Sequence, residues 1–203
     1  MRKLVKSLLT VFMLLCLFTV GGIIADKQQL KQGVVRLHVL ANSDLQCDQE
    51  QKLQVKDAIV SYLQPKLQQF ENKSQAMQYL QEQIPNLEAL ANTVLEKGGS
   101  VYRATVTLDS TVFDRRDYDT FSLPAGVYDA LRVQIGAAEG KNWWCVVFPS
   151  LCISAASDEF TATAASSGFD TDLVNTLQRS DGYEIRFFLL DCLGKLENFF
   201  AGA

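Results

Sequence analysis

From Leu8 to Ala25 the chain runs 18 residues without a charged side chain, directly behind Arg2, Lys3 and Lys6. That length lies near the lower limit for a helix that crosses a bilayer. The same stretch also fits a secretory signal peptide, with an apolar centre from Leu8 to Val20, then Gly21, Gly22 and a small Ala25 at the cut; bulky Ile23 is its one departure. Residues 1–25 are therefore a signal peptide or an N-terminal membrane anchor. In either form the positive charges stay on the cytoplasmic side and the rest of the chain is exported.

Export changes how composition is read. Residues 1–25 carry three basic and no acidic side chains, so the formal charge of −4 becomes −7 for the remainder. An acidic exported body argues against nucleic acid or an anionic membrane surface as its main partner. The 178 residues left, 26–203, suffice for one core and are few for two, which predicts a single domain. Four of the five cysteines lie in it. Cys145 and Cys152, seven apart, are expected to form a local disulfide worth roughly 2 to 3 kcal/mol by chain entropy. Cys47 and Cys192 either pair across the fold or are buried as small hydrophobes.

Periodicity gives the elements. Val35, Leu37 and Val39 alternate with Arg36 and His38, which predicts a strand over 33–41, closed by turn-prone Asn42-Ser43-Asp44. Asp48 with Gln51 reads as a capping box. Behind it Val55, Ile59, Leu63, Leu67 and Phe70 recur at helical spacing over 49–70, with Pro65 as a kink or restart. A second helix is expected over 74–96, divided near Pro85 and stopped by Gly98-Gly99. Strands are expected over 101–108, 127–135 and 144–148, the last two as a hairpin, with Asp109–Thr120 too polar for a strand core. The Ser/Ala/Thr-rich stretch at about 154–171 reads as a mobile loop, and Tyr183–Leu190 as a final strand. Together these predict an α+β fold, a mostly antiparallel sheet with two N-terminal amphipathic helices packed on one face.

Chemistry is thin. His38 is the one histidine, and the cysteines lack paired C-x-x-C spacing, so no metal site and no cofactor is expected. His38 oriented by Asp44 could serve as base to a serine or cysteine in an envelope hydrolase. Against that stands a histidine bonded to backbone at the sheet edge, since no nucleophile elbow accompanies it. Asp114, Asp117 and Asp119 sit beside Arg115 and Arg116, which hold carboxylates ionised and so unfit as acid catalysts. Adjacent Trp143 and Trp144 must point to opposite faces of a strand. One fills the core, and the other is either covered by a helix or free to anchor a partner.

Two blocks carry a resemblance. Val35-Arg36-Leu37-His38-Val39-Leu40-Ala41-Asn42-Ser43-Asp44 with Asp48-Gln49-Glu50-Gln51-Lys52-Leu53, and Leu123-Pro124-Ala125-Gly126-Val127-Tyr128-Asp129-Ala130-Leu131-Arg132-Val133 running into Gly140-Lys141-Asn142-Trp143-Trp144-Cys145, resemble the stage II sporulation protein R family of endospore-forming bacteria. The resemblance covers roughly residues 33–152. It implies a protein made in the forespore and exported into the space between the two sporulation membranes. There it would trigger a membrane-embedded aspartic protease that processes the mother-cell sigma factor precursor, without being an enzyme itself. The resemblance brings no binding map. Asn42, Asp44, Arg132, Trp143 and Trp144 are nominated as partner-binding because the two blocks could converge there, and residues 8–25 would contact the membrane if retained.

Overall fold

A computed structural model describes residues 2–118, 121–149, 169–178 and 185–201. The elements run α1 (Arg2–Gly33), β1 (Val35–Leu40), α2 (Gln46–Leu67), α3 (Lys73–Lys97), β2 (Ala104–Phe113), β3 (Arg116–Asp117), β4 (Ser122–Leu123), β5 (Gly126–Ile135), β6 (Asn142–Phe148), α4 (Thr171–Leu177) and α5 (Ile185–Ala201). A four-stranded sheet has the order β2-β5-β1-β6, and β3 with β4 forms a small ribbon beside it.

The expected fold class needs correction on three points. Helix outweighs strand, 58 % against 23 %, so the sheet is not the major element. The sheet is mixed, because β1 runs parallel to β5 while the β1–β6 and β2–β5 pairs are antiparallel. Helices also cover both faces rather than one. Val35, Leu37 and Val39 pack with Leu131 and Val133 of β5 under α2 and α3. The opposite face, with Phe113, Tyr128, Ala130 and Val146, is covered by α1, α4 and α5.

The source of the error is local. Tyr183–Leu190 was expected as a strand, but from Ile185 onward it opens α5, whose Phe187, Leu190 and Asp191 point inward at helical spacing. A short apolar run has no period of its own, and only the residues that follow reveal the helix. Nor do β5 and β6 form a hairpin: β1 lies between them and pairs with both. The connection from β5 to β6 instead crosses the end of β1, where Gly140 N bonds Ala41 O at 3.0 Å and Glu139 N bonds Asn42 O at 3.2 Å.

Proline did not break either helix. Pro65 lies in the last turn of α2 and Pro85 within an unbroken α3. Ala76 and Leu80 before Pro85, and Leu87, Ala91 and Leu95 after it, are all buried on the sheet, so packing holds the two halves in line. The polar stretch from Asp109 also stays extended to Phe113, as β2 is an edge strand with one face in solvent. Cys47 and Cys192 are free, exposed thiols, neither paired with each other nor buried. Cys145 is held in a disulfide whose other sulfur lies outside the described side chains. Cys152 lies outside the described residues, as does nearly all of the expected 154–171 loop.

Candidate functional site

The two sequence blocks meet at one end of the sheet. As β1 ends, Asn42 reaches sideways: its Oδ1 accepts from Ala137 N at 3.0 Å and its Nδ2 donates to Asp48 at 2.8 Å. Asp44 Oδ1 accepts from Lys141 N at 2.6 Å. Lys52 on α2 completes the closure, donating to Lys141 O at 2.9 Å and to Gln49 Oε1 at 2.6 Å. Gly140 is required here because a Cβ would lie 2.2 Å from the Ser43 carbonyl oxygen, a backbone atom that cannot step aside. The nominated Asn42, half-buried, and Asp44, exposed, thus bond the loop that delivers Lys141, Asn142 and the two tryptophans.

Asp48 is not the helix cap expected from its spacing. Leu45 stands at the cap position without a side-chain bond, and Asp48 lies in the first turn. Its carboxylate accepts from Ser43 Oγ at 2.6 Å as well as from Asn42. Those bonds, Ser43 foremost, hold it below the usual carboxylate range against the opposing effect of burial.

The second nominated group lies on the α1/α5 face of the sheet. β1 is an interior strand, so His38 is a buried residue in mid-sheet and not an edge histidine. In register it has Arg132 of β5 on one side and Trp144 of β6 on the other. Its ring stacks on Trp144 at 3.6 Å and 14°. Next to it Arg36 is fully buried, with its guanidinium carbon 4.0 Å from the centre of the Phe113 ring and 5.3 Å from that of Tyr128. Arg36 Nη2 donates to Tyr118 Oη at 3.2 Å. Arg116, exposed on β3, lies 5.3 Å from the centre of the Trp144 ring. Burial lowers His38 to about 4; Asn142 opposes this, and the charges of Arg132, Arg36 and Arg116 add to it.

Trp143 points the other way, as strand alternation requires. It packs beside the α2/α3 core with Lys56 Nζ 4.7 Å from its ring centre. Of the five nominated residues, the structure therefore gathers Arg132 and Trp144 around His38. Asn42 and Asp44 become the clasp, and Trp143 is left on the far face. Arg36, Arg116 and Tyr118 were not nominated. Arg36 could have been singled out as a strand residue sharing the His38 face, but its aromatic companions come from distant segments.

These contacts do not make a hydrolase. Among the described residues neither ring nitrogen of His38 makes a hydrogen bond of good geometry, Asn142 lying only close enough to favour the charged ring, and Asp44 is engaged with Lys141 instead of orienting the imidazole. Arg115 pairs with Asp117 of β3 at 2.9 Å. Among the described residues no group of three or more His, Cys, Asp or Glu side chains could hold a metal ion.

Fold and site together define an α/β body with a preorganised polar sheet end beside a buried cationic and aromatic group. Residues 31–158 match the family model described as stage II sporulation protein R, which is more than half of the chain. The chain is also 26 % identical to the stage II sporulation protein R of Bacillus subtilis (strain 168), over 97 % of its own length and 99 % of that protein's. No solved structure matches it. The chain belongs to the stage II sporulation protein R family, and that membership gives it a sporulation-signalling role instead of a catalytic one.

Proposed function

We propose that the protein is secreted from the forespore into the intermembrane space and there activates a membrane-embedded aspartic protease that processes the mother-cell sigma factor precursor. Residues 26–203 act as one exported domain in this reading. The observation that carries it is the clasp: two blocks about a hundred residues apart are locked together by Asn42 and Asp44 at one sheet end, next to Arg132 and Trp144. A signalling surface needs such preorganised side chains, because ordering them on binding would cost affinity.

Retention of the N-terminal segment fits this role. One helix from Val5 to Gly33 is long and apolar enough to cross a membrane. Past its apolar run it is built into the body: Ile23 and Leu30 are buried, and Asp26 receives both Nε and Nη2 of Arg186 at 2.6 and 2.8 Å. Lys27 and Lys31 both pair with Glu197. Phe188, Leu189, Leu196, Phe199 and Phe200 leave an exposed apolar stripe along α5, beside this helix, as a protein held close to a bilayer can tolerate. We pair Cys145 with Cys152 as a local staple behind β6.

The test is precursor processing in sporulating cells that produce Arg116→Glu and Arg132→Glu variants. Each variant should accumulate and be exported normally yet fail to support processing. Normal processing with both charges reversed would remove this sheet end from the partner interface.

A further inference from the structure

Buried charged groups in folded proteins are paired, because an isolated one costs several kcal/mol to desolvate. Arg36 departs from that rule. Its side chain is fully buried and charged, yet among the described residues no carboxylate pairs with it. Its Nε and Nη1 have no hydrogen-bond partner at all. The aromatic rings around it and the single bond to Tyr118 soften the cost but supply no counter-charge.

The neighbours share the deficit. Both nitrogens of His38, Arg132 Nε and Trp144 Nε1 are likewise buried without a partner. Among the described residues the carboxylate that pairs with the group is Asp109, 3.6 Å from Arg132 Nη1. Among the described residues donors are in excess, and what is missing is a negatively charged acceptor. The group reaches the surface through exposed Arg116 and Asn142 and through half-buried Trp144 and Arg132.

We propose that Arg116 and Arg132 at the rim, backed by the buried charge of Arg36 and by the His38–Trp144 stack, receive a carboxylate presented by a partner protein. A planar carboxylate can accept from a guanidinium fork in a bidentate manner, and half-buried Arg132 and exposed Arg116 offer such forks at the rim. A phosphate would bring more charge, and Asp109 and Asp117 beside the rim would repel it more strongly. This assignment deepens, and rests on, the reading that this sheet end meets a protein.

The chain's single histidine makes the site directly readable. The full-length chain in detergent, carbon-13 labelled in histidine, is titrated by NMR with acetate, with a blocked Gly-Glu-Gly peptide, with its Gly-Gln-Gly counterpart and with inorganic phosphate. An anion beside the ring favours imidazolium, so acetate and the Glu peptide should raise the His38 pKa by about one unit, equivalent to about tenfold tighter binding to the charged form. Arg116→Gln and Arg132→Gln should each weaken the response about tenfold, while Lys195→Gln, an exposed cation elsewhere, leaves it unchanged. These rim variants keep the test independent of Arg36, whose replacement risks misfolding.

An unmoved His38 resonance, or equal responses to the Glu and Gln peptides, would overturn the proposal. So would a stronger response to phosphate than to either carboxylate. Because the readout needs no protease, failure here leaves partner engagement standing, and failed precursor processing leaves carboxylate binding standing.

Discussion

At the scale of single residues the strongest constraint falls on His38, enclosed by an indole and three guanidinium groups. Protonating it places a further positive charge in a buried, already cationic group, which is why its pKa falls to about 4 from 6.5. The sign follows. Between those values the unfolded chain binds a proton that the folded chain refuses, so stability rises with pH across the window and is lost on acidification. The full difference is worth about 3 kcal/mol, reached once the pH is below the folded value. Denaturant unfolding of the full chain in detergent from about pH 7 down to about pH 4 should show this slope, and His38→Gln should flatten it. A slope unchanged by the substitution would show that His38 is not the group titrating in this window; Asp48 acts below it, since its stabilising ionisation is lost only as the pH falls into its depressed range. Sequence placed His38 and Arg36 on one strand face correctly, but not their burial. That burial depends on Phe113, Tyr118 and Tyr128, and Tyr118 alone is 82 residues from Arg36.

At the scale of elements, periodic patterns were legible and partnerships were not. The helices α2 and α3 follow from their apolar spacing, and β1 from its alternation, because each period is written within the element itself. The order of strands is not written there. The short connection between Ile135 and Asn142 suggests a hairpin, and only the insertion of β1 and the Asn42 clasp show that it is a crossing. The same holds for α5, whose first residues are apolar apart from Arg186 and whose helical character emerges at Asp191 and Gly194. Gly194 also records how tightly α5 sits: a Cβ there would fall 1.6 Å from the Ala125 carbonyl oxygen. Asp191 Oδ1 accepts from Ala125 N at 2.9 Å in the same contact. Helix propensity alone makes Gly194→Ala favourable by about 1 kcal/mol, but the backbone clash must push α5 off the β4–β5 corner. We expect a net destabilisation of about 2 to 3 kcal/mol, read as a lowered melting temperature. A stabilised Gly194→Ala variant would show that α5 does not dock on this corner.

At the scale of the whole molecule, the sheet divides two unlike surroundings. The α2/α3 side is a closed apolar core, whereas the other side joins the membrane-length helix, the exposed apolar stripe of α5 and the cationic group at Trp144. A strictly cleaved signal peptide would leave this second side without Ile23, which is buried in it. Retention and the cysteine arrangement can be measured together on protein purified from sporulating cells. Intact mass should include residues 1–25. Under denaturing but non-reducing conditions Cys16, Cys47 and Cys192 should take an alkylating label, because Cys47 and Cys192 are free thiols and Cys16 remains with the anchor. Cys145 and Cys152 should label only after reduction, since Cys145 already belongs to a disulfide. A mass that begins at Asp26, with no label on Cys16, would establish cleavage and require the body to stand without its anchor. Label on Cys145 before reduction would remove the staple from behind β6.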